Sequence, residues 1–321
     1  MITRPIATAL LAAQLTLCVA CGQAKETHAT VQPRKQLTQA EASRIHHTYQ
    51  QTYLRALHAG GRGMEHAEAG LALKLTRTQF RLAAKTNHPI SPPPSISEAR
   101  FTIPRPQPGR ARWFLATIAY TGATARTHLI FEETTAGWRV VAASRTDRQV
   151  PQPHLDAQGQ ATALDPGTRT GLIADPLQVA HAHGWSVASA HRAKQARTLL
   201  APGAHTTRAA RAVLADRAVL RGQWWFRHAA RIPPPIYTLR TADGGALAWY
   251  GLHDRQRFLP ATASPAPIRF AKTELARRAY YTRRVSIDRA GWFLAAIPPA
   301  GSRAKADIIG AWSLTTAVDG A

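Results

Sequence analysis

Cysteine is nearly absent from this 321-residue chain, and its scarcity excludes several kinds of protein. Cys18 and Cys21 are the only two cysteines. If the chain is cut just before Cys21, that single thiol is left in the mature protein. A disulfide framework, a catalytic thiolate further along the chain and a cysteine-based zinc site are then excluded. The fold must rest on packing, for which 45% hydrophobic residues supply enough apolar material.

Acidic residues are also scarce. The 18 Asp and Glu are outnumbered by 41 Lys and Arg, so the formal net charge is +23. Such a field favours anionic partners: anionic lipid headgroups, phosphate-bearing wall polymers or nucleic acid. The alternative is a compositional origin, because Arg and Ala are abundant in proteins translated from GC-rich DNA. Zinc-finger spacing and the aromatic–glycine motif of RNA-binding sheets are both missing, so nucleic acid is the least favoured partner.

The longest apolar run lies at the N-terminus. Residues 6–20 are interrupted only by Thr8, Gln14 and Thr16, and Arg4 supplies a positive charge before them. The run is too short for a comfortable membrane span, which predicts a signal peptide.

The end of this run, Val19-Ala20-Cys21-Gly22, resembles a bacterial lipobox, in which small residues precede a cysteine that receives diacylglycerol. The lipobox prefers Leu three residues before that cysteine, and Cys18 stands there. We expect a signal peptide and lipidated Cys21 over 1–21, then a flexible tether over 22–36. The expected location is the outer face of a bacterial cytoplasmic membrane. An ordinary secretory signal is the alternative.

The rest of the chain reads as helices followed by strands, twice. Thr38 and Glu41 predict a capping box that opens a helix ending at Gly60-Gly61, and a second helix is expected over 65–85. Strand-like segments are expected at 99–103, 113–120, 129–133 and 138–142, and glycines in the gaps between them predict turns. This order is typical of an α+β domain, here 37–147.

The polar, proline-containing segment 148–174 is the predicted linker, and 175–321 is the predicted second α+β domain. In it, Asp175 caps a helix that runs toward Leu200, and Asp243-Gly244-Gly245 predicts a hairpin turn. Strand-like segments are also expected around 278–287 and at 292–297. Each domain is expected to pack its N-terminal helices on an antiparallel, curved sheet, with the nuclear-transport-factor-like cone as the candidate architecture. Trp-Phe-Leu-Ala-Thr-Ile at 113–118 recurs as Trp-Phe-Leu-Ala-Ala-Ile at 292–297, which suggests a duplication.

Three further segments join the lipobox in a family resemblance: Arg-Trp-Phe at 112–114, Pro-Gly-Ala-His-Thr at 202–206 and Leu-Arg-Thr-Ala-Asp-Gly-Gly-Ala-Leu at 239–247. Together they resemble a family of secreted actinomycete lipoproteins of uncharacterised function. The last segment is the most specific, and the resemblance spans most of the mature chain. It implies a surface location and assigns no catalytic residue.

Fourteen histidines invite a metal or acid–base hypothesis. His181, His183 and His191 form the best cluster. Positions i and i+2 of a helix point apart, however, and two turns separate His183 from His191. His46 and His47 diverge in the same way. We therefore predict neither a metal site nor a cofactor.

Among the carboxylates, Asp254 at the end of a strand is the first candidate for acid–base work, with an ion pair to Arg255 or Arg257 as the alternative. Glu132 and Glu133 are consecutive on a strand, so one should point inward and one outward. The chain has no Gly-x-Ser-x-Gly elbow and no Gly-rich phosphate loop, and it is therefore predicted not to be an enzyme.

Aromatic residues alternate with arginines near 224 and 280, a pattern that grips phosphates and stacks rings. The alternative is that one aromatic of each pair enters the core. The predicted binding residues are Trp224, Arg277, Arg278, Tyr280, Arg283 and Arg284.

Three functions follow from these observations. The first is a non-enzymatic, lipid-tethered binding or scaffold module for anionic wall polymer, lipid headgroups or a protein partner. The second is a small-molecule-binding or hydrolytic pocket within one cone, which requires a desolvated carboxylate or histidine such as Asp254 or His205. The third is a DNA-handling accessory protein.

Overall fold

A computed structural model describes residues 36–188, 190–271 and 275–321. The predicted signal peptide, Cys21 and almost all of the predicted tether lie outside these residues. No helix in the described ranges is long and apolar enough to cross a membrane. Those ranges contain five α-helices: α1 Gln39–His58, α2 Gly70–Thr86, α3 Pro176–Ala188, α4 Ala190–Leu199 and α5 Ala209–Val219.

The same ranges contain eleven strands, of which four follow α1 and α2 and the other seven follow α3–α5. They are β1 Ile96–Thr102, β2 Trp113–Tyr120, β3 Arg126–Thr134, β4 Gly137–Thr146, β5 Trp224–Arg231, β6 Ile236–Arg240, β7 Ala246–Pro260, β8 Ile268–Arg269, β9 Tyr280–Tyr281, β10 Val285–Ile297 and β11 Asp307–Gly320. Nine of them form one antiparallel sheet in the order β1-β2-β3-β4-β11-β10-β7-β5, with β6 also paired to β7. The small strands β8 and β9 pair only with each other.

This sheet consists of a first meander of four strands, β1–β4, and a second group of five strands: β5, β6, β7, β10 and β11. The two parts meet at β4 and β11. The β4–β11 contact is a single antiparallel pair, Arg145 with Ala311. The repeated hexapeptides lie on β2, next to the edge strand β1, and on β10, next to the joining strand β11. They therefore do not occupy equivalent places in the sheet. The α+β class is confirmed, whereas the two-domain organisation and the cone stay predictions.

The two faces of β2 bury different neighbours. Phe114 stacks on Phe131 with ring centroids 4.7 Å apart, in a cluster that includes α1. On the opposite face Trp113 packs against Tyr237 of β6, at 5.2 Å. Because side chains alternate along a strand, the first meander contacts helices with one of its faces and the second group of strands with the other face. Residues 36–321 accordingly form one compact unit.

Local signals in the sequence produce several element ends as expected. Thr38 accepts a hydrogen bond from the backbone N–H of Glu41, and the Glu41 carboxylate accepts one from Thr38 N at 2.8 Å, which confirms the capping box. Asp175 caps α3 through Gln178 N. At the predicted hairpin turn, Asp243 Oδ1 accepts a hydrogen bond from Gly245 N between β6 and β7.

Two predicted boundaries were wrong. The second helix begins at Gly70 and not near residue 65, because a short 3₁₀ turn, Met64–His66, comes first and Glu68 then pairs with Val140 of β4. The segments expected around 278–287 and 292–297 are largely one 13-residue strand, β10. The predicted linker 148–174 is mostly irregular and makes isolated bridges to β6 and to the residue after it.

Candidate functional site

A cavity of about 790 Å³ lies between the first two helices and the first meander. Its volume falls in the range of roughly 300–1,000 Å³ that is typical of small-molecule sites. The wall residues come from α1, α2, β2, β3, β4 and β11 and from the proline segment 90–95. Exposed residues at the rim include Leu54, Pro93 and Arg145.

The shape of α1 places tyrosines on the cavity. Ile45, Tyr49, Tyr53 and Leu57 recur at helical spacing, and Tyr49 and Tyr53 lie one turn apart with ring centroids 5.7 Å apart. Tyr49 also contacts Phe131 edge to face at 5.3 Å, which anchors its ring against the sheet. The stripe that predicted a buried helix face thus also lines the cavity with phenols.

Glu68 is the carboxylate of this site. Its backbone is pinned to β4, because Val140 N donates to Ala67 O at 3.0 Å and Ala69 N donates to Val140 O at 2.9 Å. Only 4% of Glu68 is exposed. Burial raises the pKa of Glu68 from 4.5 to about 7, and hydrogen bonds from Thr76 and Tyr49 partly oppose this rise.

Three residues of the cavity wall each carry a buried polar side-chain atom that has no hydrogen-bond partner among the described residues: Glu68 Oε2, His46 Nε2 and Ser144 Oγ. A buried polar atom without a partner is costly, and native proteins keep few of them. Three such atoms in the wall of one cavity make it the candidate site, where a bound molecule could supply the missing hydrogen bonds.

His46 and the three tyrosines of the cavity are held neutral. Burial lowers the pKa of His46 to about 4, so its imidazole is uncharged at neutral pH. Burial raises the pKa of Tyr53 to about 12, and it raises the pKa values of Tyr49 and Tyr120 as well. Glu68 is thus the one group deep in the cavity that changes charge near pH 7.

The candidate histidines take separate structural places. His183 is buried in the core of the second half, where its ring contacts the Tyr250 hydroxyl at 2.9 Å and the His205 carbonyl oxygen at 2.9 Å. Burial lowers the pKa of His183 to about 4. His181 stacks on Trp185, and the side chain of His191 lies outside the described residues. No group of three metal-ligating residues was found in the described ranges.

The candidate carboxylates are all engaged. Asp254 is buried and pairs with His228, so the expected pairing with Arg255 or Arg257 is wrong, and Arg255 instead binds Asp288.

Glu132 and Glu133 diverge as expected. Glu133 forms a two-point ion pair with Arg112, whereas Glu132 accepts a hydrogen bond from Tyr237 at 2.7 Å. Glu132 and Tyr237 border a second cavity of about 570 Å³, in which this carboxylate already has a protein partner.

The predicted aromatic–arginine patch is exposed except for Trp224. That ring is 5% exposed and its Nε1 donates to Ala266 O, whereas its neighbour Trp225 is 68% exposed. Tyr280 is 56% exposed. The four predicted arginines are exposed as well: Arg277, Arg278, Arg283 and Arg284.

Sequence reasoning did not single out Glu68, Ser144 or Tyr120. The one available signal was the presence of tyrosines, and not aliphatic residues, on the buried stripe of α1. Tyrosine brings a hydroxyl that needs a partner when buried, so such a stripe favours a polar interior.

The fold and the cavity define an α+β protein with one long antiparallel sheet and an acidic, aromatic-lined pocket under its first helices. The chain belongs to the family described as "Domain of unknown function (DUF8094)", whose model matches residues 33–320. Comparison with curated proteins and with solved structures gives no match to this chain.

Proposed function

We propose that this protein is a bacterial surface lipoprotein that binds a small molecule in the cavity around Glu68. The observation that carries the proposal is the presence, in the wall of a cavity of about 790 Å³, of three residues with an unpartnered, buried polar atom. A carboxylate with a raised pKa in an apolar cavity is typical of binding and catalytic sites.

A cavity-filling substitution tests this function. Ser144 is 1% exposed on β4 and lines the cavity, so Ser144→Phe should occupy part of its volume. Ser97→Phe, on the exposed face of edge strand β1, adds the same ring outside it. A fragment library screened by ligand-observed NMR should yield compounds that bind the wild type and Ser97→Phe but not Ser144→Phe. If no compound distinguishes the two variants, the proposal is wrong.

The cellular location of the protein is part of the same proposal. The lipobox ending at Cys21 supports an anchor at the outer face of the cytoplasmic membrane, in keeping with the resemblance to actinomycete lipoproteins. Intact-mass analysis of protein from bacterial membranes should find Cys21 at the N-terminus with a diacylglycerol-sized increment, absent from Cys21→Ala. An unlipidated wild-type product would contradict the anchor.

A second candidate function is binding of anionic wall polymer or lipid headgroups. Exposed Trp225 and Tyr280 beside an arginine-rich segment favour it. Glu substitutions at Arg277, Arg278, Arg283 and Arg284 should weaken binding to anionic vesicles more than Glu substitutions at Arg62, Arg208, Arg211 and Arg303, which change the net charge equally. Equal loss in both sets would show that only net charge matters and would reject this patch. Steeply salt-dependent binding to DNA would instead favour the DNA-handling hypothesis.

The finer fold predictions are proposals too. In each half, helices precede antiparallel strands of the large sheet, four in the first half and five in the second, which supports two α+β domains joined through 148–174. Limited proteolysis of the full chain should cut first within 148–174 if the halves are separable. Cuts confined to other loops would contradict this organisation.

A further inference from the structure

We propose that the ligand of the Glu68 cavity is an organic cation, an ammonium group attached to an apolar body. This inference rests on the proposed function, since it names the chemical class of the molecule that the cavity binds. The ammonium group would lie against the Glu68 carboxylate, within the ring of phenols formed by Tyr49, Tyr53 and Tyr120. The apolar body would lie along Ile118, Leu129 and the proline segment.

The inventory of charges in the cavity supports a cation. Glu68 is the only carboxylate among the lining residues, and its Oε2 lacks a partner. His46 offers no positive charge because its imidazole is neutral, and Arg145 lies at the exposed rim. An anionic ligand would meet an uncompensated buried carboxylate, which is the most expensive arrangement in a low-dielectric site.

The aromatic walls point to the same class. A cation is attracted to the faces of aromatic rings, and this attraction grows when water is removed from around the charge. Tyr49, Tyr53 and Tyr120 each lie close enough to the Glu68 carboxyl, or to one another, to influence each other's ionisation. Rings around a carboxylate are how proteins recognise alkylammonium groups, because the rings replace the hydration that the cation loses.

A ligand whose positive charge does not depend on pH shows how binding affinity depends on the protonation of Glu68. The titratable and charged groups that line the cavity with this carboxylate are His46, Tyr49 and Tyr53 on α1, Tyr120 on β2 and, at the rim, Arg145 on β4. His46 and the three tyrosines keep their charge between pH 5 and about 9, because burial lowers the pKa of His46 to about 4 and raises the pKa values of the tyrosines. Affinity for a quaternary ammonium should therefore be constant above about pH 7 and fall about tenfold per unit below it, as Glu68 takes up its proton.

The experiment compares three probes of similar size on the full chain by calorimetry: benzyltrimethylammonium, neutral tert-butylbenzyl alcohol and anionic phenylacetate. The cation should bind at least about tenfold more tightly than the other two. Glu68→Gln should remove that preference, whereas Glu65→Gln, an exposed carboxylate three residues earlier, should keep it. Tyr53→Phe should retain binding and Tyr53→Leu should weaken it.

The outcomes separate this inference from the proposed function. If the alcohol or phenylacetate binds as tightly as the cation and Ser144→Phe blocks it, the cavity is a small-molecule site and the cation inference is wrong. If none of the three binds at about 10 mM, a Kd weaker than most specific sites show, the cation inference fails, and the fragment screen alone then decides the proposed function. If Glu68→Gln does not fold, the pH profile of the wild type decides, and a flat profile from pH 5 to 8 contradicts the inference.

Discussion

Replacing Glu68 by Gln should stabilise this protein above neutral pH, although most substitutions of buried residues destabilise. In the unfolded chain the carboxyl ionises near pH 4.5, whereas in the folded protein burial raises its pKa to about 7. Between these values the native state holds a proton that the unfolded state has lost. Stability therefore falls as the pH rises through this window, and the loss is complete above about pH 7.

The magnitude follows from the size of the window. Each pKa unit corresponds to about 1.4 kcal/mol, so a shift from 4.5 to about 7 costs the native state about 3 kcal/mol at pH 8. Glutamine cannot ionise and is nearly the same size, so Glu68→Gln should recover most of this free energy. At pH 4 the two proteins should differ little, since the carboxyl is then protonated in both states.

Urea unfolding at pH 4, 6 and 8 measures this difference, with tryptophan fluorescence as the probe. Glu65→Gln is the control, because Glu65 is exposed in a surface ion pair with Arg77 and should change stability by less than about 1 kcal/mol. The reasoning is refuted if Glu68→Gln is less stable than wild type by the same amount at every pH. That result would mean that the carboxylate contributes favourably to the fold and is not a desolvated group kept for binding. A variant that gains stability and loses its ligand would instead show the trade-off typical of functional sites.

Three further predictions concern other parts of the molecule. Gly61→Ala should lower the free energy of unfolding by about 1–3 kcal/mol in a urea titration, because φ is +91° and the new Cβ would meet a phenylalanine ring at 2.7 Å. Gly60→Ala, at φ +67° with open space around the new Cβ, should lower it by about 1 kcal/mol. Equal losses in the two variants would contradict this reasoning. Burial lowers the pKa values of His128 and His183 to about 4. Unfolded histidine binds its proton near pH 6.5, so each should reduce stability by about 1.4 kcal/mol per unit as the pH falls from 6.5 toward 4, and His183→Gln should flatten that slope. Trp225→Ser should leave the unfolding free energy within about 0.5 kcal/mol, since the ring is 68% exposed, and it should weaken vesicle binding if the aromatic–arginine surface is used.

Much of the local structure was predictable because short-range interactions determine it. The capping box of Thr38 and Glu41 joins residues three apart, and the Asp243 turn closes through Gly245, two residues on. Strand β2 was predicted with the bounds that the structure has, since its apolar run is flanked by turn signals. In each case the partners are neighbours in sequence, so their types and spacing carry the information.

Strand register depends on partners far along the chain. The sequence does not distinguish the neighbouring residues Trp224 and Trp225. Pairing of β5 with β7 directs the Trp224 side chain into the core and the Trp225 side chain to solvent. The same pairing directs Asp254 inward, toward His228, and away from the adjacent arginines. A one-residue change of register would exchange both outcomes, and no local pattern distinguished the two registers.

Composition and neighbouring residues are enough to specify the α+β class, the caps and turns, the scarcity of thiols and the excess of basic charge. The position of the candidate site depends instead on the assembled fold. In the sequence Glu68 stands between two alanines and belongs to no recognisable motif. It becomes a desolvated carboxylate because its loop pairs with Val140, 72 positions later, beneath tyrosines from α1. Burial of a charge is a property of the assembled fold, and so the chemistry of this cavity arises only when distant segments meet.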